Sequence, residues 1–502
     1  MRQQARDYYD RKIAGFTDSQ DRIFKRNIPE DISNIKKIHL SGVCGTAVGS
    51  LASLLSKKGY TLSGSDTGCY PPMSDLIKEL GIEFKEGFKE ENVVGAELVV
   101  IGNVCGTNNP EAKYAREHNI PTLSLSEAIE KFFIKGKKSL VVAGTHGKTT
   151  TTGLLAHVFK DAGFKPGYMI GGVMQGGEES SAVGDGNYFI IEGDEYDTAY
   201  FDKAPKFLHY APYSTIITSL EFDHVDIYKD LKEYTEAFEF LVQEIPPEGN
   251  LFIYNDGHCN SLASFASCKV FLYGLGSENS NGIKNNITAR DIVVTEKGQE
   301  FSLIVEGVDM GKLFTPLPGT HNLLNTLAVA GVALQEGMSI ETLREGLASF
   351  GGMKRRQEVV AEIKGITVLD DFAHHPTAVR ETISAIKSKY PGRRLVAFFE
   401  PRSATSRRKV FEEEYGKSFG QAELVFVSTP PLKETDSIDN FINPAHIMEI
   451  INASGIEAYA VQNADELLEK ALPLLKEGDV ILIMSNGSFD SIHKKLAVML
   501  SS

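Results

Sequence analysis

Lys148 and Thr149 stand where a phosphate-binding loop needs them. The run Val141-Val142-Ala143-Gly144-Thr145-His146-Gly147-Lys148-Thr149-Thr150 takes an apolar strand through a glycine turn into a helix that starts near Lys148. Glycines let backbone N–H groups turn inward around phosphate oxygens, and a helix N-terminus adds partial positive charge. Lys148 then reaches the outer phosphates, and Thr149 offers a hydroxyl to Mg2+. Val142 occupies a position where the general P-loop pattern has glycine, so the loop is a shortened G-x-x-G-K-T variant.

Acid clusters close two further predicted strands. Ile190-Ile191-Glu192-Gly193-Asp194-Glu195 ends one and Ser219-Leu220-Glu221-Phe222-Asp223-His224 ends another. Open α/β sheets bind ligands at the carboxyl ends of their strands. Mg2+ takes oxygen ligands and keeps several waters, so one carboxylate with phosphate oxygens makes a suitable shell. Leu40-Ser41-Gly42-Val43-Cys44-Gly45 also follows a strand and opens a helix, with Ser65-Asp66 further on, in the manner of a dinucleotide fingerprint. Leu40 replaces the first glycine of that fingerprint, which makes it a weak argument for an NAD-dependent oxidoreductase.

Toward the C-terminus, Arg355 and Arg356 fall at a hinge, from which a cation meets transferring phosphoryl charge only when domains close. Asp371, His374 and His375 follow a strand and precede a helix beginning near Pro376. Asp371 suits ribose or a metal-bound water. An imidazole titrates near neutral pH, so either histidine offers a proton acceptor, and the sequence leaves the choice open. Arg402, Ser403 and Arg407 suit carboxylate recognition, because guanidinium groups bind carboxylates in bidentate fashion.

The elements that must position these residues belong to a chain of 502 residues, at about 150 per domain a three-domain length. Hydrophobic residues make up 42% and charged residues 24%, an ordinary globular composition that excludes a disordered chain. The net charge of -15 argues against nucleic acid and anionic membranes as partners, while loops and helix ends still accommodate a small anion. No apolar run approaches the ~20 residues of a membrane helix, and residues 1–37 have no leader pattern. Five cysteines without a C-x-x-C pair suggest neither a disulfide framework nor a zinc site, and point to a reduced, cytoplasmic setting.

Strand–helix alternation predicts an α/β protein of three domains after an N-terminal extension, residues 1–37. The first domain, 38–135, is Rossmann-like, with strands at Ile38–Leu40, Tyr60–Leu62 and Leu98–Ile101 and a linker at Ile134–Lys138. The second, 136–352, is a P-loop-type ATPase domain with strands at Ser139–Ala143, Tyr188–Ile191, Thr215–Thr218 and Leu251–Tyr254. Its Asn286–Glu306 part reads as short antiparallel strands, and helices Asn322–Gln335 and Ile340–Ala348 close it. The third, 353–502, follows the hinge Phe350–Arg356 and has strands near Thr367–Leu369, Leu395–Phe399, Leu424–Val427 and Val480–Met484.

Gly144-Thr145-His146-Gly147-Lys148-Thr149-Thr150 resembles the ATP loop of the Mur ligases, which join amino acids or peptides to UDP-N-acetylmuramate, and the resemblance runs from Ile38 to the end. Pro318-Gly319-Thr320-His321-Asn322-Leu323-Leu324-Asn325 is similar to that family's nucleotide-base segment. Asp370-Asp371-Phe372-Ala373-His374-His375-Pro376-Thr377 is similar to the D-D-Y-x-H-H-P segment of the branch that acts directly on UDP-N-acetylmuramate. The resemblance implies ATP contacts from His321, Asn322, Asn325, Arg356 and Asp371, and a metal site of Thr149, Glu192 and His224. It also implies a UDP-sugar site in place of NAD, with Gly42, Val43, Cys44 and Gly45 near the diphosphate, Ser65 and Asp66 near the uridine, and Asn103 as an addition. Ser219 stands where the alanine-adding relatives usually carry Asn. The stretch Glu233–Ile245 lacks the lysine that other Mur ligases carbamylate, as in the branch that loads muramate directly.

Tyr70-Pro71-Pro72-Met73-Ser74, Glu195-Tyr196-Asp197-Thr198-Ala199-Tyr200-Phe201-Asp202, Glu400-Pro401-Arg402-Ser403 and Ser485-Asn486-Gly487-Ser488-Phe489 are similar to relatives that attach an intact tripeptide, L-alanyl-γ-D-glutamyl-meso-diaminopimelate, in peptidoglycan recycling. The resemblance therefore implies an ATP- and Mg2+-dependent ligase with UDP-N-acetylmuramate and the murein tripeptide as partners. Free L-alanine as acceptor is the nearest alternative. A non-catalytic nucleotide-binding regulator would need no Glu192/His224 pair. Oligomeric state is not encoded in any motif.

Overall fold

Among the described residues, apolar strands alternating with helices build three large sheets beside a two-stranded antiparallel ribbon, Asp197–Ala199 with Asp202–Pro205, and each large sheet collects the carboxyl ends of its parallel strands along one edge. The computed structural model describes residues 3–16, 26–223, 227–403, 406–430 and 441–501. The first sheet has the order Glu83–Glu86, Thr61–Asp66, Lys37–Ser41, Leu98–Ile101, Thr122–Ser124, and all its pairings are parallel. Leu98–Ile101 is buried throughout, as strands covered on both faces must be. Helix Thr46–Lys57 turns Val48, Leu51, Leu54 and Leu55 onto this sheet, each worth about 1.5–3 kcal/mol when fully buried. Glu83–Glu86 is polar and largely exposed at the edge, and Thr122–Ser124 is only three residues long, so neither announces itself as a strand in the sequence.

The second sheet has ten strands. Its parallel core runs Lys269–Tyr273, Asn250–Tyr254, Pro212–Ile217, Lys138–Ala143, Tyr188–Gly193, Gly167–Met169. Ile287–Thr295, Gly298–Val305 and Val308–Thr315 extend one edge as an antiparallel meander, as the Asn286–Glu306 pattern suggests, with one strand more. The Ile134–Lys138 linker is shorter than the basic composition suggests. Phe132, Phe133 and Ile134 are buried in a π-helical turn, and Lys138 already begins a strand.

The third sheet has the order Glu358–Ile363, Ile366–Asp371, Val480–Met484, Leu395–Phe399, Leu424–Ser428, Glu457–Val461, antiparallel only at its first pair. The chain's last strand thus lies between two earlier ones. This places the loops after Asp371, Met484 and Phe399 side by side.

Cys44 and Cys69 form a disulfide with a Cα–Cα distance of 5.4 Å, which corrects the expectation of no disulfide. The two cysteines are 25 residues apart and lie on turns after adjacent parallel strands, a proximity that spacing along the chain does not reveal. Among the described residues Cys105, Cys259 and Cys268 are free. No helix of the described residues is long and apolar enough to cross a membrane.

The N-terminal extension touches two of the sheet units. Helix Gln3–Phe16 buries Ala5 and Tyr9, and the Tyr8 hydroxyl donates to Glu236 Oε2 at 3.0 Å. Arg26 then reaches the first unit, where its Nη1 and Nη2 each donate to Glu127 at 2.8 Å, while its guanidinium lies 3.9 Å from the centre of the Phe201 ring. Burial works against the Glu127 carboxylate, but Arg26 outweighs it and holds the group at about 2 against an ordinary 4.5. A depressed carboxyl contributes stability that is full above pH 4.5 and is lost as pH falls toward 2, here about 3 kcal/mol. Denaturant unfolding of Glu127→Gln and the native chain should therefore differ at pH 7, and the gap should narrow below pH 4.5; a constant gap would deny the linkage.

Candidate active site

The loop between strand Lys138–Ala143 and helix Lys148–Asp161 is bound to its neighbouring loop before any ligand arrives. Thr145 N–H donates to Ser219 O at 3.1 Å and His146 N–H to Ser219 Oγ at 2.9 Å. Thr145 Oγ1 donates to Glu221 O at 2.9 Å and lies 3.0 Å from the Tyr234 hydroxyl. Ser219 thus supports the loop through its hydroxyl and carbonyl. Gly144 and Gly147 have φ of 129° and 83°, and a Cβ on Gly147 would lie 2.8 Å from Asn325 Oδ1. Asn325 in turn donates to Asn322 Oδ1 at 3.4 Å, and Asn322 to Pro318 O at 2.8 Å. The predicted base segment therefore packs directly against the loop. Left-handed backbone costs a non-glycine residue roughly 1–2 kcal/mol. Gly147→Ala should accordingly weaken ATP binding about tenfold in a titration calorimeter, and unchanged affinity would separate the loop conformation from nucleotide binding.

Lys148 Nζ donates to Gly144 O at 2.6 Å and to Glu195 Oε1 at 3.0 Å. Burial works against its charge, but Glu195 and then Asp194 outweigh it and raise the amine above its ordinary value. Glu195 is fully buried and also accepts from the Tyr234 hydroxyl at 3.3 Å. Beside it, Glu192 accepts from Gly171 N–H at 2.6 Å and from Thr149 Oγ1 at 3.1 Å. Burial pushes its carboxyl up, against the pull of these donors and of Lys148 and Arg356. The donor set of carboxylate and hydroxyl oxygens fits Mg2+. His224 lies outside the described residues. Thr150 continues the helix as a buried residue. Helix Leu231–Glu244 starts earlier than expected and so includes Lys232, whose side chain is 84% exposed, within 3.9 Å of Glu236.

The hinge separates its two arginines. Arg355 turns to the third sheet, donating to Ser485 O and Gly487 O at 2.7 Å each and pairing with Asp370 at 3.2 Å. Arg356 lies over the Phe372 ring at 4.8 Å, and its guanidinium acts on Glu192 and Asp371. Asp371 is anchored by Gln357 N–H at 2.9 Å and Ala373 N–H at 2.7 Å, and burial pushes its carboxyl up despite Arg356. His321 lies 3.3 Å from Gln357 Nε2, and burial lowers its imidazole to about 4. His374 is likewise lowered to about 4 by burial, and its Nδ1 lies 3.1 Å from Phe372 O. His375 caps helix Pro376–Lys389 and approaches the ATP loop, its ring centre 4.7 Å from that of His146. Of the two histidines, His375 has its ring in direct contact with that of His146 on the loop.

In the first sheet unit, Gly42 and Val43 N–H groups both donate to Ser65 O, and Cys44 N–H donates to Asp66 Oδ2 at 3.0 Å. Gly45 caps helix Thr46–Lys57. Ser65 Oγ donates to the buried Glu111 at 2.7 Å, while Asn103 Nδ2 reaches Asp197 O across to the second unit at 3.2 Å. The sheet order reverses between Lys37–Ser41 and Leu98–Ile101, so the glycine turn sits at the crevice where open sheets bind ligands.

On the third sheet, Ser485 Oγ donates to Glu400 Oε2 at 2.6 Å, and Arg402 lies 3.5 Å from Glu400 Oε1. A Cβ on Gly487 would fall 2.1 Å from Arg402 Cδ, so glycine there makes room for the arginine. Ser403 Oγ accepts from Ser406 N–H at 2.9 Å, and Arg407 is buried with its guanidinium 5.0 Å from the centre of the Phe441 ring.

Three acids emerge as site residues only in the structure. Glu195 holds Lys148, Glu221 faces His146, and Glu111 secures the first glycine turn through Ser41 and Ser65. Glu195 and Glu221 stand in the two acid clusters visible in the sequence. Glu111 carries no local signal.

One ATP loop on a central sheet, approached by hinge residues from a third sheet, is the arrangement of an ATP-dependent ligase with three α/β domains. Residues 37–135 match the "Mur ligase family, catalytic domain", 142–333 the "Mur ligase middle domain" and 355–487 the "Mur ligase, glutamate ligase domain". The chain belongs to the Mur ligase family, whose members are ATP-dependent, ADP-forming amide ligases. It is 36% identical over 467 residues to the UDP-N-acetylmuramate–L-alanyl-γ-D-glutamyl-meso-2,6-diaminoheptandioate ligase of Escherichia coli (strain K12), covering 92% of this chain and 97% of that one. It is 31% identical over 463 residues to the UDP-N-acetylmuramate–L-alanine ligase of Clostridium acetobutylicum, covering 92% and 97%. A crystal structure of a murein peptide ligase from Psychrobacter arcticus superimposes with a TM-score of 0.67 at 30% identity, covering 93% of this chain and 99% of that one.

Proposed function

We propose that this ligase joins L-alanyl-γ-D-glutamyl-meso-diaminopimelate to UDP-N-acetylmuramate in peptidoglycan recycling. The observation that carries the acceptor is the 36% identity to the tripeptide ligase against 31% to the L-alanine ligase, at equal coverage. Residues 38–135 would take the UDP-sugar, 136–352 ATP and 353–502 the peptide, with 1–37 as an extension. The reading carries with it a reduced, cytoplasmic setting, in which Cys44 and Cys69 would stand as thiols in place of the disulfide.

A carboxylate is a poor acylating agent, so it is first activated. The lactyl carboxylate attacks the γ-phosphorus, giving an acyl phosphate and ADP. The tripeptide's free amine then attacks the carbonyl, and phosphate leaves with the former carboxylate oxygen. Lys148, kept cationic by Glu195, stabilises charge on the transferring phosphoryl group. Arg356 adds a second cation from the hinge only when the domains are closed. Glu192 and Thr149 would hold Mg2+, with His224 as a further ligand, and the ion would neutralise phosphate charge. Arg402 meets a carboxylate of the peptide, with Ser403 and Arg407 shaping the loop around it.

Glu192→Gln should raise the Mg2+ concentration needed for half-maximal rate more than the KM for the UDP-sugar, since one charged oxygen ligand is lost. Equal changes in both would remove Glu192 from the metal. For the reaction itself, 18O placed in the lactyl carboxylate should appear in released phosphate, one atom per turnover. Unlabelled phosphate would overturn the acyl phosphate.

A further inference from the structure

We propose that His146, Glu221 and His375 form a second metal site, for a borderline transition-metal dication such as Zn2+, that joins the third sheet unit to the ATP loop. His146 Nε2 lies 3.3 Å and His375 Nδ1 3.7 Å from the same carboxylate oxygen, Glu221 Oε2. One ligand atom from each residue can be chosen so that all lie within 4.8 Å of one another. Tetrahedral zinc with bonds of about 2.0–2.2 Å holds its ligand atoms about 3.3–3.5 Å apart, so the two measured edges already approach that span. The chemistry of the set separates it from the Glu192 site. Two imidazoles with one carboxylate suit Zn2+, Co2+ or Ni2+, whereas the carboxylate and hydroxyl oxygens of Glu192 and Thr149, with His224 as the single imidazole assigned to them, suit Mg2+.

His375 is 6% exposed. Its Nδ1, the nitrogen 3.7 Å from Glu221 Oε2, accepts a long 3.4 Å hydrogen bond from Thr377 N–H, and its Nε2 is buried without a hydrogen-bond partner among the described residues. A buried imidazole with so little commitment to protein partners is available to an ion. His146 and Glu221 come from loops of the central sheet, and His375 comes from the loop after Ile366–Asp371 across the hinge. An ion held by all three favours the closed arrangement over the open one, because only the closed arrangement supplies the full set. The site depends on this geometry alone and stands whichever acceptor the ligase uses.

The test is titration of the chelator-treated full chain with Co2+ in excess Mg2+, which leaves oxygen sites to Mg2+. One equivalent should produce the strong visible absorption of a four- or five-coordinate Co2+ ion, and Zn2+ should displace it. Glu221→Gln should weaken binding by more than the 10–100-fold that loss of an outer-shell partner costs. His375→Asn should do the same while retaining a favoured N-cap for helix Pro376–Lys389, with circular dichroism confirming the fold. Glu192→Gln should leave the absorption in place. Absorption no stronger than that of aqueous Co2+ would overturn the site. So would retention in either folded variant of the set, or loss in Glu192→Gln.

Discussion

Lys148→Ala lowers ligation at saturating ATP by about 10²–10³-fold, the cost of removing one electrostatic stabiliser of a transferring group. The same change takes the cation from Glu195, which is fully buried, and breaking such a pair costs about 3–5 kcal/mol of stability. Folding and chemistry therefore need separating. In Lys148→Ala with Glu195→Gln the buried charge is gone, so the thermal transition should recover toward that of the native chain while turnover stays low. Recovery of turnover along with the transition would mean that Lys148 serves folding alone. Near-normal turnover of the folded single variant would remove the loop from ATP chemistry.

Arg402→Ala lowers kcat/KM for the tripeptide by about 10–100-fold, matching a charged hydrogen bond of about 1.5–3 kcal/mol. The side chain is 40% exposed, which keeps the effect below that of a fully buried ion pair. Acyl phosphate formation precedes peptide attack, so isotope exchange for the first step should change little. Arg402→Lys should restore only part of the loss, since an ammonium lacks the planar fork that matches a carboxylate. Equal loss in both steps would place Arg402 at the nucleotide or the sugar.

What the chain discloses before folding is what is local. Gly144 to Thr150 are consecutive, so strand, turn, lysine and hydroxyl reveal their chemistry in order. Leu395–Phe399 and Val480–Met484 are legible because five apolar residues bounded by polar ones have few alternatives to a buried strand. The polar edge strand Glu83–Glu86 lacks that signal. Arg355 and Arg356 are adjacent and alike in sequence. Only the fold sends one to Ser485 and Gly487 and the other toward Glu192 and Asp371.

The contacts hidden from sequence are those made through sheet order and domain packing. Cys44 and Cys69 meet because their strands are neighbours, and Glu111 reaches Ser41 and Ser65 from a helix many residues away. Glu221 and His375 meet across a hinge, which no periodicity encodes. Arg26 and Glu127 pair over a separation of 101 residues and give the N-terminal extension a structural role its composition does not announce.

Tripeptide ligation is tested by acceptor choice. ADP release is followed with UDP-N-acetylmuramate and ATP, adding either L-alanyl-γ-D-glutamyl-meso-diaminopimelate or L-alanine, with mass spectrometry of the product. Rapid ADP release with the tripeptide is expected, with a product carrying all three of its residues and little stimulation by L-alanine. Preferential turnover of L-alanine, or stimulation by neither acceptor, would contradict tripeptide ligation.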